Sequence, residues 1–216
     1  SFVPTPYWKI RAQVEIDGRI FEARYAEERI ENRNEAETIA NSCIDEKGQV
    51  EEIEIKQFKQ PPPFPFNLGT LQNEAYSLFR YTPRRTLNTA QQLYLDALIS
   101  YPRTDSQRLP STEDYRTILK NLMKVDQYSE FASELLAKQA LKPNEGKKDD
   151  PAHPAIYPTG NLPRRALETS ERKVWDLVVR RFMAAFSKPA VKQNMKVHIK
   201  INGHRFQFSG KRILVH

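Results

Sequence analysis

Cysteine is nearly missing from this sequence: one residue, Cys43, in a chain of 216. A lone thiol excludes a disulfide framework and a cysteine-rich zinc site, and it suits a reducing compartment. Glycine is also scarce, at seven against fifteen prolines, so the chain turns at stiff corners. No apolar run approaches the ~18 residues that a membrane-spanning helix needs, which speaks against a membrane partner. The stretch Ser1 to Trp8 lacks a basic-then-apolar leader pattern. It begins abruptly, with Pro4 and Pro6 ahead of a strand-like run, and reads as a piece of something longer. Charge, by contrast, is plentiful. Lys and Arg number 34 against 27 Asp and Glu, a formal excess of +7. That excess permits a polyanion partner without demanding one. Hydrophobic residues make up 39% of the chain, enough for a packed core and too many for general disorder.

The periodicity changes along the chain. Trp8, Ile10, Ala12, Val14 and Ile16 alternate with polar residues, the period of a half-buried strand. Asp17-Gly18 fits a two-residue hairpin turn, and Phe21, Ala23 and Tyr25 alternate on the return. The far end repeats the pattern: Met195, Val197, Ile199 and Ile201, then Asn202-Gly203, then Phe206 and Phe208. Both hairpins, with a further strand over Val50 to Phe58, are expected in one sheet or barrel. A short helix capped by Asn34 and Glu37, with Ala36, Ile39, Ala40 and Cys43 inward, is expected to pack on it. Cys43 is then a small core hydrophobe. Pro61-Pro62-Pro63-Phe64-Pro65 admits neither helix nor central strand and reads as a stiff connector. Beyond it the period is helical. Leu71, Ala75, Leu78 and Phe79 share one face. Thr82-Pro83 caps a second helix lined by Leu87, Ala90, Tyr94 and Leu98. Ser111 and Asp114 open a third, Phe131 to Leu141 suggests a fourth, and Thr169-Ser170 opens a long last helix. Lys142 to Pro151 reads as a mobile loop. The expected fold is α+β: a β-rich domain from both chain ends, residues 1–62 and 188–216, interrupted by a helical domain over residues 63–187.

The stretch with the most chemistry is Ser100-Tyr101-Pro102-Arg103-Thr104-Asp105-Ser106. Pro102 pushes Tyr101 out of the helical region. On an extended segment, Tyr101 and Arg103 point to the same side. A phenol and a guanidinium fork that converge in this way suit a phosphodiester: the phenol attacks phosphorus, and the fork holds the non-bridging oxygens. A phenol of pKa about 10 leaves more readily than an alkoxide, so the linkage can be reversed. By itself this remains one of two readings, because a Tyr before Pro is also an ordinary packing residue. Asp105-Ser106 could equally be a turn that accepts backbone hydrogen bonds.

The segment resembles the active-site signature of the type IA DNA topoisomerases, and looks most like the archaeal topoisomerase I and topoisomerase III branch. Its surroundings are similar too. Thr70-Leu71-Gln72-Asn73-Glu74-Ala75, after the prolines, resembles the family's Thr-Leu-Gln-x-Glu-Ala. Thr86, Ala90, Gln91, Leu93 and Tyr94 resemble its Thr-x-x-x-Ala-Gln-x-Leu-Tyr helix. Ala152-His153-Pro154-Ala155-Ile156-Tyr157-Pro158 resembles its Ala-His-x-Ala-Ile-x-Pro motif. The resemblance implies that Tyr101 is the nucleophile that becomes linked to a DNA 5′-phosphate and that Arg103 holds the scissile phosphate. It implies that His153 approaches the DNA, and that Thr104 and Asp105 order the loop and line the DNA. The family often has Thr where Ser100 stands, and many relatives carry Arg where Tyr157 stands; Tyr157 could instead stack on a base. Arg84-Arg85, Arg164-Arg165, Arg172-Lys173 and Arg180-Arg181 form basic pairs that could track phosphates, Arg84 and Arg85 foremost.

The resemblance further implies that the β-rich part is the family's arch and the helical part its gate. The family's Mg²⁺ sits in an acidic Toprim domain with an Asp-x-Asp-x-Glu cluster, and no Asp-x-Asp run is present here. Glu51-Glu52-Ile53-Glu54 reads as a solvated strand face. His198 and His204, near the Asn-Gly turn, read as surface residues without a ligating partner. The expectation is a fragment that carries the nucleophile but not the metal half of the site, with no cofactor on this chain. Its partners would be single-stranded or underwound DNA and the Toprim-containing remainder of the same polypeptide, in a monomeric, cytoplasmic, nucleoid-associated enzyme. The alternatives are a non-catalytic single-stranded DNA-binding module, a basic scaffold, and a tyrosine recombinase or type IB enzyme. The last fits poorly, because its tyrosine comes last and its His-x-x-Arg would need Arg where Ile156 stands.

Overall fold

The computed structural model describes residues 5–112, 114–150 and 152–215. Ser1 to Pro4, Glu113, Pro151 and His216 lie outside the described residues, so the start of the N-terminal lead and the last residue of the 142–151 loop are not placed. Helices and one antiparallel sheet share the chain, which divides into two compact units: Ser1–Gln60 with Ala190–His216, and Pro61–Pro189.

The first unit is built on alternation. Strands β1 (Arg11–Ile16) and β2 (Arg19–Tyr25) form a hairpin. Its turn puts Asp17 at φ 49 and Gly18 at φ 73, the positive values that a two-residue turn requires. Strands β3 (Gly48–Gln60), β4 (Ala190–Ile201) and β5 (His204–Val215) complete an antiparallel sheet in the order β1-β2-β5-β4-β3. The β4–β5 turn uses Asn202 and Gly203, again at positive φ. Inward residues from β2, β4 and β5, namely Ala23, Val197, Ile199, Ile201 and Phe206, form the core. Helix α1 (Arg33–Ser42) buries Ala36 and Ile39.

Three expectations are corrected in this unit. The cap of α1 is Asn32, whose side chain accepts from the Asn34 and Glu35 amides; Glu37 instead pairs with Arg33. The strand expected over Val50 to Phe58 runs from Gly48 to Gln60. His198 is no surface residue: it is 6% exposed, and its Nε2 lies 3.1 Å from Glu54 Oε1. The sequence hid this contact because the partner is 144 residues away. A bulge at Val50/Glu52 brings Glu52 opposite His198.

The second unit packs α2 (Leu68–Phe79), α3 (Pro83–Leu95), α4 (Tyr115–Leu122), α5 (Asp126–Leu136) and α6 (Thr169–Ala185) around one apolar core. Helix α6 is its axis, with Val174, Leu177, Val178, Phe182 and Ala185 buried along one face. Each large apolar side chain buried there contributes roughly 1.5–3 kcal/mol. Several inward assignments were wrong. On α2 Leu78 is 59% exposed, and only Leu71 and Ala75 are buried; on α3 Tyr94 is 39% exposed, because that helix buries Thr86, Thr89, Ala90 and Leu93 instead. Leu98 is buried, but beyond the end of α3. The fourth helix spans Asp126–Leu136, five residues earlier than Phe131 to Leu141. The loop from Lys142 is tied down through Asp150. Asn144 N donates to Ala185 O, Gly146 N to Gln107 O, and Glu145 Oε1 accepts from Leu109 N.

Candidate functional site

The Tyr101 loop is held in place by its neighbours. Helix α3 stops at Leu95, and Ala97 takes a left-handed φ of 57 that redirects the chain inward. The carbonyl of Ala97 is capped by Thr159 Oγ1 and Asn161 Nδ2. Leu98 to Ser100 then lie antiparallel to residues 155–159. Ile99 bridges Pro158, Thr159 N donates to Leu98 O, and Ser100 N donates to Tyr157 O. The Ser100 hydroxyl closes the lacing: it donates to Ala155 O at 2.9 Å and accepts from Tyr157 N at 3.0 Å. This pairing brings the histidine motif alongside the tyrosine, 52 residues earlier in the chain.

Burial alternates through the loop. Pro102, Thr104 and Ser106 are buried, while Tyr101 is half-buried and Arg103 and Asp105 are exposed. Tyr101 and Arg103 therefore share the outward side. Thr104 does not line an open surface. Its hydroxyl donates to His153 O at 2.5 Å and accepts from Ser106 N at 3.0 Å, so it pins the tyrosine loop to the histidine loop. Asp105 offers its carbonyl to Asn67 Nδ2, and Thr104 O accepts from Leu68 N. The start of α2 thus forms the floor of the loop. Asn67 also caps that helix.

Two rings flank Tyr101. His153 lies with its centroid 5.3 Å away, and Tyr94 approaches edge-on at 5.4 Å and 72°. Asp150 organises the histidine. Its Oδ1 accepts from the Ala152 and His153 amides, and its Oδ2 lies 3.3 Å from His153 Nδ1. A carboxylate at Nδ1 favours a proton there and leaves Nε2 as the ring atom free for a ligand. Tyr157, in contrast, is 8% exposed and packs in the core, so it offers no face to a base. Sequence reasoning missed Tyr94, read as core, and Asp150, read as mobile. The three-residue spacing of Asp150 and His153 was the available signal for the second.

The whole chain, residues 1–216, matches the DNA topoisomerase family. The chain belongs to that family. Its relatives include DNA topoisomerase 1 of Pyrococcus horikoshii, 47% identical over 213 residues, with 98% of this chain and 31% of that protein covered. DNA topoisomerase 1 of Methanothermobacter thermautotrophicus is 43% identical, with 99% and 29% covered. The structure of full-length topoisomerase I from Thermotoga maritima superposes with a TM-score of 0.67 at 26% identity, covering 99% of this chain and 35% of that one. The chain thus spans about a third of the length of these topoisomerases.

A metal is implied for such enzymes, and the donors present do not fit it. Among the described residues, the trio that could offer ligands is Glu52, Glu54 and His198, in the β unit. Mg²⁺ asks for an octahedron of oxygens. Here one donor is an imidazole, Glu54 is paired with Lys56, and Glu52 is paired with Arg205. The trio is an ion-pair network, and no chemical step is routed through it. Among the described residues, no helix is long and apolar enough to cross a membrane.

Proposed function

We propose that this chain supplies the nucleophile and the moving parts of a type IA DNA topoisomerase. The observation that carries the reading is the Tyr101 loop. Its alternate residues are buried and hydrogen-bonded, so Tyr101 and Arg103 face outward together beside His153. The Tyr101 oxygen attacks a backbone phosphorus and forms a 5′-phosphotyrosine. The P–O3′ bond breaks, and the 3′-oxygen leaves with a proton. Bond energy is kept in the aryl phosphodiester, so the 3′-hydroxyl can attack in turn, release Tyr101 and reseal the strand without a nucleotide cofactor. Arg103 holds the non-bridging oxygens. His153 presents Nε2 toward the same phosphate. Tyr94 and Thr104 hold the geometry, and Asp105 borders the path of the strand. The metal chemistry belongs to a Toprim-containing remainder of the same polypeptide.

In this reading residues 63–187 are the gate, which keeps the 5′ end while another strand passes. Residues 1–62 and 188–216 are the arch on which it swings. The protein works as a monomer on underwound, single-stranded DNA of the cytoplasmic nucleoid. The test is relaxation of an underwound plasmid by this chain joined to its Toprim-containing remainder. The Tyr101→Phe form is expected to relax none; relaxation at an undiminished rate would overturn the assignment.

A further inference from the structure

The basic residues of the helical unit differ in whether a carboxylate holds them. Arg165, Arg180 and Arg181 are each held by a carboxylate, from Glu171, Asp176 and Glu74 respectively. Arg80, Arg84, Arg85, Arg172 and Lys173 are exposed, and among the described residues they enter no ion pair. Arg80, Arg85 and Lys173 gather on one group of rings, with Arg84 and Arg172 their neighbours in sequence. Arg85 lies 4.0 Å over the Tyr81 ring, and Lys173 reaches the same ring and that of Phe79. Arg80 lies over Tyr76, which is itself 52% exposed.

Helix dipoles and backbone conformation run against part of this placement. Arg84 and Arg85 occupy the first turn of α3, and Arg172 and Lys173 lie near the start of α6. The positive end of a helix dipole disfavours cations there. Arg80 ends α2 at φ 60, a left-handed position that suits glycine. Glu171, the acid in the first turn of α6, is already used by Arg165. The result is two helix N-termini and five unneutralised cations, with several side chains fixed over aromatic rings.

We propose that this cluster is an anchor for single-stranded DNA, separate from the cleavage chemistry. The cations bind successive phosphates, and the exposed Tyr76 ring offers a stacking face that paired bases in a duplex cannot use. Helix α3 sets the spacing. Its N-terminus carries the anchor, and Tyr94 in its last turn touches Tyr101. Arg84 and Tyr94 lie ten residues apart on the helix, a rise of roughly 15 Å at about 1.5 Å per residue. The anchor therefore grips a strand several nucleotides from the phosphate at Tyr101. The choice of ligand rests on the topoisomerase reading, but the binding needs no cleavage.

The experiment measures binding of a labelled oligo-dT of about 20 nucleotides to this chain by anisotropy, between about 0.05 and 0.2 M salt. The Arg80→Gln/Arg84→Gln/Arg85→Gln/Lys173→Gln form is expected to bind at least about tenfold more weakly at mid-range. Its log–log salt slope should be shallower by about 3, at roughly 0.7 per lost phosphate contact on a single strand. A Lys120→Gln/Lys188→Gln form of the same unit should keep the slope. If the fourfold variant fails to fold, Arg84→Gln and Arg85→Gln singly should each reduce the slope by about 0.7. An unchanged slope, no binding by the parent chain, or equal affinity for a blunt duplex would overturn the proposal. A Tyr101 that forms no adduct would sink the catalytic reading and leave this one standing.

Discussion

The Tyr101 segment is fixed by hydrogen bonds and flanked by two rings. Ser100 is the clearest case, since its one hydroxyl ties Ala155 O and Tyr157 N to the residue before Tyr101. Ser100→Ala leaves a buried amide and carbonyl short of a partner, at a cost of about 1–3 kcal/mol. We expect the melting temperature of the helical unit to fall accordingly, whereas Ser100→Thr keeps the hydroxyl and most of the stability. Asp150 separates structure from chemistry. Asp150→Asn still accepts the two backbone amides but loses the charge that selects the proton on His153 Nδ1. The expected outcome is an unchanged melting temperature with a changed ¹⁵N signature of the His153 ring, resolved among the four histidines. Strand cleavage by the reassembled enzyme should slow at least tenfold, within the usual reach of acid–base positioning (about 10²–10⁴). Unaltered ring shifts would assign Asp150 a turn-capping role alone. At this scale the outward pair Tyr101 and Arg103 was legible, because proline and strand period act within a few residues. Tyr94 and Asp150 were not. Their roles depend on contacts that the helix face and the loop path create only after folding.

Elements read well wherever local chemistry decides them. Both hairpins follow from alternation plus Asp-Gly and Asn-Gly turns, and α3 follows from Thr82-Pro83, whose hydroxyl accepts from Arg85 N. Helix α5 was misplaced because Val125 begins it without a side-chain cap, and Ala137 ends it without a glycine. Helix α6 carries a device that the sequence does not announce. Arg165 grips Glu171 through both oxygens and Asp96 at the end of α3, tying the two helices together. The Arg165 guanidinium, followed by the Glu168 amide, holds the Glu171 carboxyl below its ordinary range. A depressed folded pKa means stability that is complete above the unfolded value of about 4.5 and is lost as the pH falls through the folded one. Denaturant titrations should therefore show the chain weakening below about pH 4.5. Glu171→Gln should be less stable at neutral pH and lose less on acidification. A variant with the parent's full pH slope would contradict this role.

For the whole molecule, an α+β chain of helices and an antiparallel sheet was legible from the change of period at the proline run. Less so were the places where distant segments meet. His198 finds Glu54 across β3 and β4, and residues 98–100 find 155–159; neither pairing leaves a mark in local periodicity. The sorting of the arginines was equally hidden, since a basic pair looks the same whether a carboxylate 107 residues away holds one member, as Glu74 holds Arg181, or solvent does. The measurement that bears most directly on the account joins this chain with its Toprim-containing remainder, Mg²⁺ and a single-stranded oligonucleotide labelled at one end. After denaturation, label on the protein is expected only from the 3′-labelled strand, and it should vanish in Tyr101→Phe. Transfer of label from the 5′-labelled strand, or an adduct that survives Tyr101→Phe, would contradict the assignment of Tyr101 as the residue that holds the 5′-phosphate.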